Sequence, residues 1–165
     1  MQHPALIWLL GLGPGARADG LCPPRTASGG GPWQQLQRLL DACFPRPPRD
    51  VFERVVAASH HRQRLWLARA GSGELLGMVM LSPHSKGGHL DNLAVAHEAR
   101  GQGVGQALVQ RLLADTADAG PSMVSLTTRI PAFFKPLGFQ NCGQLLDGST
   151  AMLVLLPQPD SPSAP

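Results

Sequence analysis

The chain contains no tyrosine. Proton transfer by a phenol is therefore outside its chemistry. Charge is sparse too: Asp, Glu, Lys and Arg make up 15% of the 165 residues, with fourteen Lys plus Arg against eleven Asp plus Glu. A net charge of +3 suits an anionic ligand weakly and is far below the basic density of a dedicated nucleic-acid binder. There is no zinc-finger spacing and no basic helix, so nucleic acid is not expected as a partner. The three cysteines, Cys22, Cys43 and Cys142, form no CxxC pair. That odd, unpatterned set argues against a disulfide framework and against a metal site, and for a reducing, cytoplasmic setting. No apolar run approaches the length of a membrane span, so no membrane partner is expected. There is no internal repeat, and one domain with a sizeable core is the default at this length.

The first twenty residues have a short apolar centre and an Ala-x-Ala-like site at Ala16 to Ala18. A secretory signal would carry Lys or Arg before the apolar run, where only His3 stands. Residues 1–32 are therefore expected to be a retained, largely irregular segment, with Ala5 to Leu10 available as an edge strand. The Pro/Ser tail, 157–165, reads as disordered. Between them, 33–156 read as the folded domain.

Pro32 to Phe44 have helical spacing, with Leu36, Leu39, Leu40 and Cys43 on one side, and prolines 45, 47 and 48 stop the helix. Asp50 caps a second short helix that carries Val51 and Val55. Leu65 to Arg69 and Glu74 to Leu81 flank a Gly-Ser-Gly turn, a hairpin signal, and Ser82 to Gly88 read as a loop. In the next strand, His89 to Ala96, the apolar residues Leu90, Leu93 and Val95 break period two. One extra residue near Asp91 or Asn92 returns all three to one face, as a β-bulge does. A strand buried on both faces would also tolerate the pattern. Val104, Leu108 and Leu112 then mark an amphipathic helix that Gly120-Pro121 ends. Ser122 to Thr127 is a strand, Pro131 to Leu137 a short helix, and two last strands, Phe139 to Leu146 and Ala151 to Leu155, flank Asp147-Gly148. The order predicts a mixed α/β (α+β) layer with one parallel crossover through the long helix.

Two glycine runs could cradle phosphates. Gly11 to Ala16 fits G-x-G-x-x-A, but no helical period follows and no acidic residue stands about 20 positions on, so the dinucleotide reading fails there and a turn remains. Arg100 to Gln106, RGQGVGQ, lies between a strand and a long helix. The first amides of that helix lack intrahelical partners and, with the helix dipole, favour an anion. Gly103 and Gly105 remove Cβ atoms that would hold a diphosphate off the backbone, and Arg100 adds charge. The Lys-Ser/Thr of a nucleotide-hydrolysing P-loop is missing, so the run suits a diphosphate and not NTP chemistry.

The spacing from Val95 through Arg100-Gly101-Gln102-Gly103-Val104-Gly105 resembles the acetyl-CoA motif R/Q-x-x-G-x-G/A of the GNAT superfamily of N-acetyltransferases. Phe134-Lys135-Pro136-Leu137-Gly138-Phe139 resembles that family's Y-x-x-x-G-F segment, and the element order is similar across residues 33 to 156. The resemblance implies a mostly antiparallel central sheet with a splayed parallel strand pair and flanking helices. It implies acetyl-CoA as cosubstrate and an amine acceptor, with room for a homodimer. Leu93, Ala94 and Val95 would bond the acetyl and pantetheine groups through the backbone. Arg100, Gly101, Gln102, Gly103, Val104, Gly105 and Gln106 would wrap the diphosphate, and a backbone N–H near the bulge would polarise the thioester carbonyl. The acceptor amine would then attack without a covalent enzyme intermediate.

An alkyl ammonium has a pKa near 10.4, so a base is useful at neutral pH. Asp91, on the bulged strand, is the candidate, and His89 is the second. Phe134 stands where the family often has a tyrosine that protonates the leaving thiolate. Phenylalanine would leave an apolar wall beside the thioester, and a thiol with a pKa of about 8.5 can leave as thiolate. Arg129 stands where many relatives have asparagine, and it could reach a phosphate or an acidic acceptor. Cys142, with no histidine near it in sequence, is given no nucleophilic role. A non-catalytic acyl-CoA-binding module and an acyltransferase with another acyl chain or acceptor are the competing readings.

Overall fold

The structure, a computed structural model, describes residues 8–12, 32–44 and 64–157. The helix expected after Asp50, the tail beyond Pro157 and most of the first glycine run lie outside the described residues. Among the described residues, seven strands form one sheet: β1 (Trp8–Leu12), β2 (Arg64–Arg69), β3 (Leu75–His84), β4 (Gly87–Val95), β5 (Met123–Thr128), β6 (Gln140–Gln144) and β7 (Thr150–Leu155). Their order across the sheet is β1-β2-β3-β4-β5-β7-β6. Every neighbouring pair is antiparallel except β4 and β5. Strand β1 is an edge strand paired with β2; residues 8–10 of the expected Ala5 to Leu10 fall within it, and 5–7 lie outside the described residues. The strand contains Gly11, so the one described glycine of that first run is extended chain and not a turn.

Helix α1 (Pro32–Cys43) covers one face of the sheet and helix α2 (Val104–Asp118) the other. Under α1, Leu36, Leu39 and Leu40 pack on Leu65, Leu67, Met78, Met80 and Ala94. Under α2, Val104, Leu108, Val109 and Leu112 pack on Trp66, Val79, Leu81, Leu90, Val124 and Leu126. Alternation along β2 to β5 separates the two sets, because successive side chains leave a strand on opposite faces. Leu108 and Leu112 are fully buried, and each contributes about 1.5–3 kcal/mol by removal of apolar surface from water. The Trp66 indole Nε1 donates to Asp115 Oδ2 over 2.8 Å, which ties β2 to the last turns of α2. Arg111 holds the other oxygen of the same carboxylate at 2.7 Å.

The expected loop at Ser82 to Gly88 is mostly strand. Strand β3 runs on to His84 and β4 begins at Gly87, leaving Ser85 and Lys86 as the turn. Pro83 is tolerated because β2 ends opposite Leu81, so beyond that point β3 has no described partner on that side to miss a Pro N–H. Beyond β5, the short helix α3 (Pro131–Phe134) runs into a 3₁₀ turn, Lys135–Leu137, closed by Gly138 at φ 94°. The β6–β7 turn is held by Asp147, whose carboxylate accepts from both the backbone N–H and the hydroxyl of Ser149. Those bonds, with a smaller contribution from the Arg129 charge, hold the Asp147 carboxyl below its ordinary value.

Candidate active site

The site begins with a fault in β4. Leu90 pairs with Leu81, and Leu93 pairs with Val79. Two residues, Asp91 and Asn92, therefore stand opposite one, Met80. This is the bulge anticipated from the broken period, and it returns Leu90, Leu93 and Val95 to the α2 side of the sheet. A bulge bends its strand and ends regular pairing. The ladder from β4 to β5 runs from Gly87↔Met123 to Leu90↔Leu126 and goes no further. Both strands continue, β4 to Val95 against β3 and β5 to Thr128 against β7. The central parallel pair is thus closed at one end and splayed at the other.

The closed end depends on two glycines. A Cβ on Gly87 would stand 2.0 Å from the Met123 carbonyl oxygen, and one on Gly88 would stand 2.7 Å from Leu81 Cδ1. At the splayed end the glycines face space. A 3₁₀ turn, His97–Ala99, leads to Arg100, and Gly101 and Gly103 follow at φ 73° and 82°. Gly103 is the N-cap of α2 and supplies no side-chain cap, and the first turn carries no acidic residue. The first intrahelical bond runs from Ala107 N–H to the Gly103 carbonyl, so the amides of Val104, Gly105 and Gln106 have no helical acceptor. A Cβ at Gly103 would meet nothing within 4 Å. Bare amides, a positive helix end and an open approach fit an anionic diphosphate.

A cavity of about 510 Å³ opens here, a volume ordinary for a cofactor cleft. Leu93, Ala94 and Val95 line it from β4, and Arg100, Gly101, Gly103, Val104, Gly105 and Gln106 from the loop and α2. Gln102 is not in its wall: its side-chain Nε2 donates to the Glu98 carbonyl over 2.8 Å and holds the loop closed on itself. Gly105 differs from its expected role. Its missing Cβ makes room for Phe133 Cζ at 3.2 Å and Val95 Cγ2 at 3.4 Å, not for a ligand.

Phe133, unassigned from sequence, lines the cleft. Phe134 is only 4% exposed and packs edge-on against Phe133 and Phe139, with ring centroids 4.9 Å and 5.6 Å away. Adjacent helical residues point about 100° apart, so only one of the two rings can face the opening. Phe134 is therefore core, and Phe133 is the ring that lines the cavity. Cys43 from α1 also lines the cleft. Its Sγ lies 3.5 Å from the Val95 carbonyl, which also accepts from Arg100 Nε at 3.1 Å, and Arg100 Nη2 reaches the sulfur at 3.7 Å.

Asp91 and His89 flank Leu90, the last rung of the closed ladder. Asp91 is exposed, and its Oδ2 accepts from the Ser82 hydroxyl. His89 is half-buried, with Nδ1 3.0 Å from Ser125 Oγ on β5. Neither side chain lines the cofactor-sized cavity. Asn92, the second bulge residue, is buried, and its Nδ2 has no hydrogen-bond partner. Arg129 is exposed beside the Asp147 turn, and Cys142 is exposed on β6. Among the described residues, no group of three His, Cys, Asp or Glu side chains is arranged to hold a metal, and no helix is long and apolar enough to cross a membrane.

Residues 33–139 match the model of a family described as the acetyltransferase (GNAT) family. Peptidyl-lysine N-acetyltransferase YjaB of Salmonella typhimurium is 30% identical over 96 residues, 58% of this chain. The chain spans 63% of that relative's length. Among solved structures, the ribosomal-protein-S18-alanine N-acetyltransferase of Escherichia coli is similar in fold, with a TM-score of 0.72 at 14% identity over 94% of this chain and 97% of its own. An aminoglycoside 6'-N-acetyltransferase complexed with coenzyme A is also similar, with a TM-score of 0.68 at 20% identity over 78% and 93%.

Proposed function

The chain belongs to the GNAT acetyltransferase family, and from that premise we propose that it transfers an acetyl group from acetyl-CoA to a primary amine by direct attack. One observation carries the reading: the β4–β5 ladder stops at Leu90↔Leu126 beside a helix whose first amides are uncapped. In this reading the amides of Val104, Gly105 and Gln106 hold the diphosphate, and Arg100 turns from the Val95 carbonyl to join them. The Val95 carbonyl, which Arg100 releases while the Cys43 thiol stays beside it, takes the pantetheine arm with the backbone of Leu93 and Ala94, and Phe133 covers it.

Bound acetyl-CoA supplies an activated carbonyl carbon: the amine nitrogen bonds to it, the C–S bond breaks, CoA departs as thiolate, and the nitrogen gives its surplus proton to water to leave a neutral amide. Phe134 gives that thiolate no proton, and water supplies it after departure. Asp91 is the base that frees the amine. It is exposed at the point where the sheet opens, whereas His89 is paired with Ser125 in the closed part. A primary amine of the lysine type is the favoured acceptor, in keeping with the peptidyl-lysine relative.

Isothermal titration with acetyl-CoA, followed by thiol release over a panel of lysine peptides and small amines, tests this. Saturable binding and amine-dependent thiol release are expected. No binding overturns the reading. Binding with no release on any amine points instead to a non-catalytic acyl-CoA-binding module, a reading that the burial of Phe134 and the lack of tyrosine favour. Faster release from longer acyl chains or with hydroxyl acceptors points to a different acyltransferase.

A further inference from the structure

Resting on the reading of Asp91 as the base, we infer that Ser82 is its positioning residue. Ser82 lies on β3, two residues beyond Met80 and on the same face. The bulge sets Asp91 opposite Met80, so the Asp91 carboxylate and the Ser82 hydroxyl share the α1 face, one diagonal step apart. The hydroxyl donates to Oδ2. Ser82 is also the direct cross-strand partner of His89, and His89 that of Ser125. A polar row, Ser82, His89 and Ser125, thus crosses three strands one rung before the splay, with Asp91 at its open end.

An exposed aspartate left to itself samples several χ1 and χ2 wells. A charge-assisted hydrogen bond at one oxygen selects among them. With Oδ2 held by Ser82, Oδ1 is the oxygen presented to the acceptor. The ammonium N–H bond breaks and its proton passes to Oδ1. The lone pair left on nitrogen forms the bond to the thioester carbon, the C–S bond breaks and its electron pair leaves on sulfur as thiolate. The nitrogen gives its second proton to water to become a neutral amide, and exposed Asp91 releases the first proton to water. Ser82 neither gives nor takes a proton in this step. Its hydroxyl stays on Oδ2 and sets the direction of Oδ1.

The test is a double-mutant cycle on the full chain, using Ser82→Ala, Asp91→Asn and the pair together. Thiol release is measured with saturating acetyl-CoA and an amine found active with the unmodified protein, and acetyl-CoA binding is measured by titration. Ser82→Ala is expected to lower kcat on the order of tenfold, short of the roughly hundredfold that a full 1 Å misplacement can cost, with acceptor KM and acetyl-CoA affinity unchanged. In the Asp91→Asn background the same change is expected to do nothing further. Ser82→Thr keeps the hydroxyl on a residue suited to a strand and is expected to restore most of the rate, which separates positioning from a folding defect. Equal losses in both backgrounds, an unaltered kcat in Ser82→Ala, or no rescue by threonine overturn the assignment of Ser82 alone. An unmodified protein that binds acetyl-CoA but releases no thiol with any amine overturns the catalytic reading as well.

Discussion

Strand β4 lives under two regimes. From Gly87 to Leu90 it has a strand on each side, and from Asp91 to Val95 it is paired with β3 alone. Both halves depend on glycine, for opposite reasons. In the closed half Gly87 is required because the Met123 carbonyl occupies the place of its Cβ. Beside the open half Gly103 has nothing near that place, and its left-handed φ of 82° aims the start of α2 at the cleft. The same residue type serves closeness in one place and emptiness in the other. The bulge at Asp91 and Asn92 is the border between them.

The largest effect is expected from Gly87→Ala. The new methyl cannot be accommodated without separating β4 from β5, and the cost should be about 3 kcal/mol, the upper part of the range for overpacking. A urea titration checks this, and an unchanged midpoint would mean that the closed half has slack. Gly103→Ala is the matched change at the open half. Strain at a left-handed position costs about 1–2 kcal/mol, so the chain stays folded. Acetyl-CoA affinity should fall about tenfold, as for a weakened hydrogen bond to a charged group. Calorimetric titration measures that, and full retained affinity would sink the open-half reading. The smallest effect belongs to the border. Asn92→Leu removes a buried amide donor that has no partner. Relief of about 1 kcal/mol should raise the melting temperature by about 2–4 °C, and a fall in scanning calorimetry would show that Nδ2 is satisfied in the folded chain.

Local pattern made the bulge legible, because Leu90, Leu93 and Val95 could share a face only with an inserted residue. It also separated RGQGVGQ from the earlier glycine run, since only the later run sits between a strand and a long helix. The stretch from Ser82 to Gly88 misled for a physical reason. Proline and glycine ordinarily break strands, yet here Pro83 has an open side and Gly87 and Gly88 are demanded by Met123 and Leu81. Phe133 and Phe134 could not be told apart in sequence, because the choice of which ring faces the cleft is made by Phe139. Cys43 had every mark of a core residue on α1. Its contacts with Val95 and Arg100 span more than fifty residues, and no local period carries that information. Ser82 was hidden in the same way, since its value depends on the register that the bulge sets.

The hydrogen bond from Trp66 to Asp115 has an optical consequence. With no tyrosine, the near-ultraviolet emission of the chain belongs to its three tryptophans, Trp8, Trp33 and Trp66. Trp66 is 1% exposed beneath α2. In a chain with Trp8 and Trp33 replaced by phenylalanine, its emission gauges whether that helix lies on the sheet, and a shift to longer wavelength records its lifting.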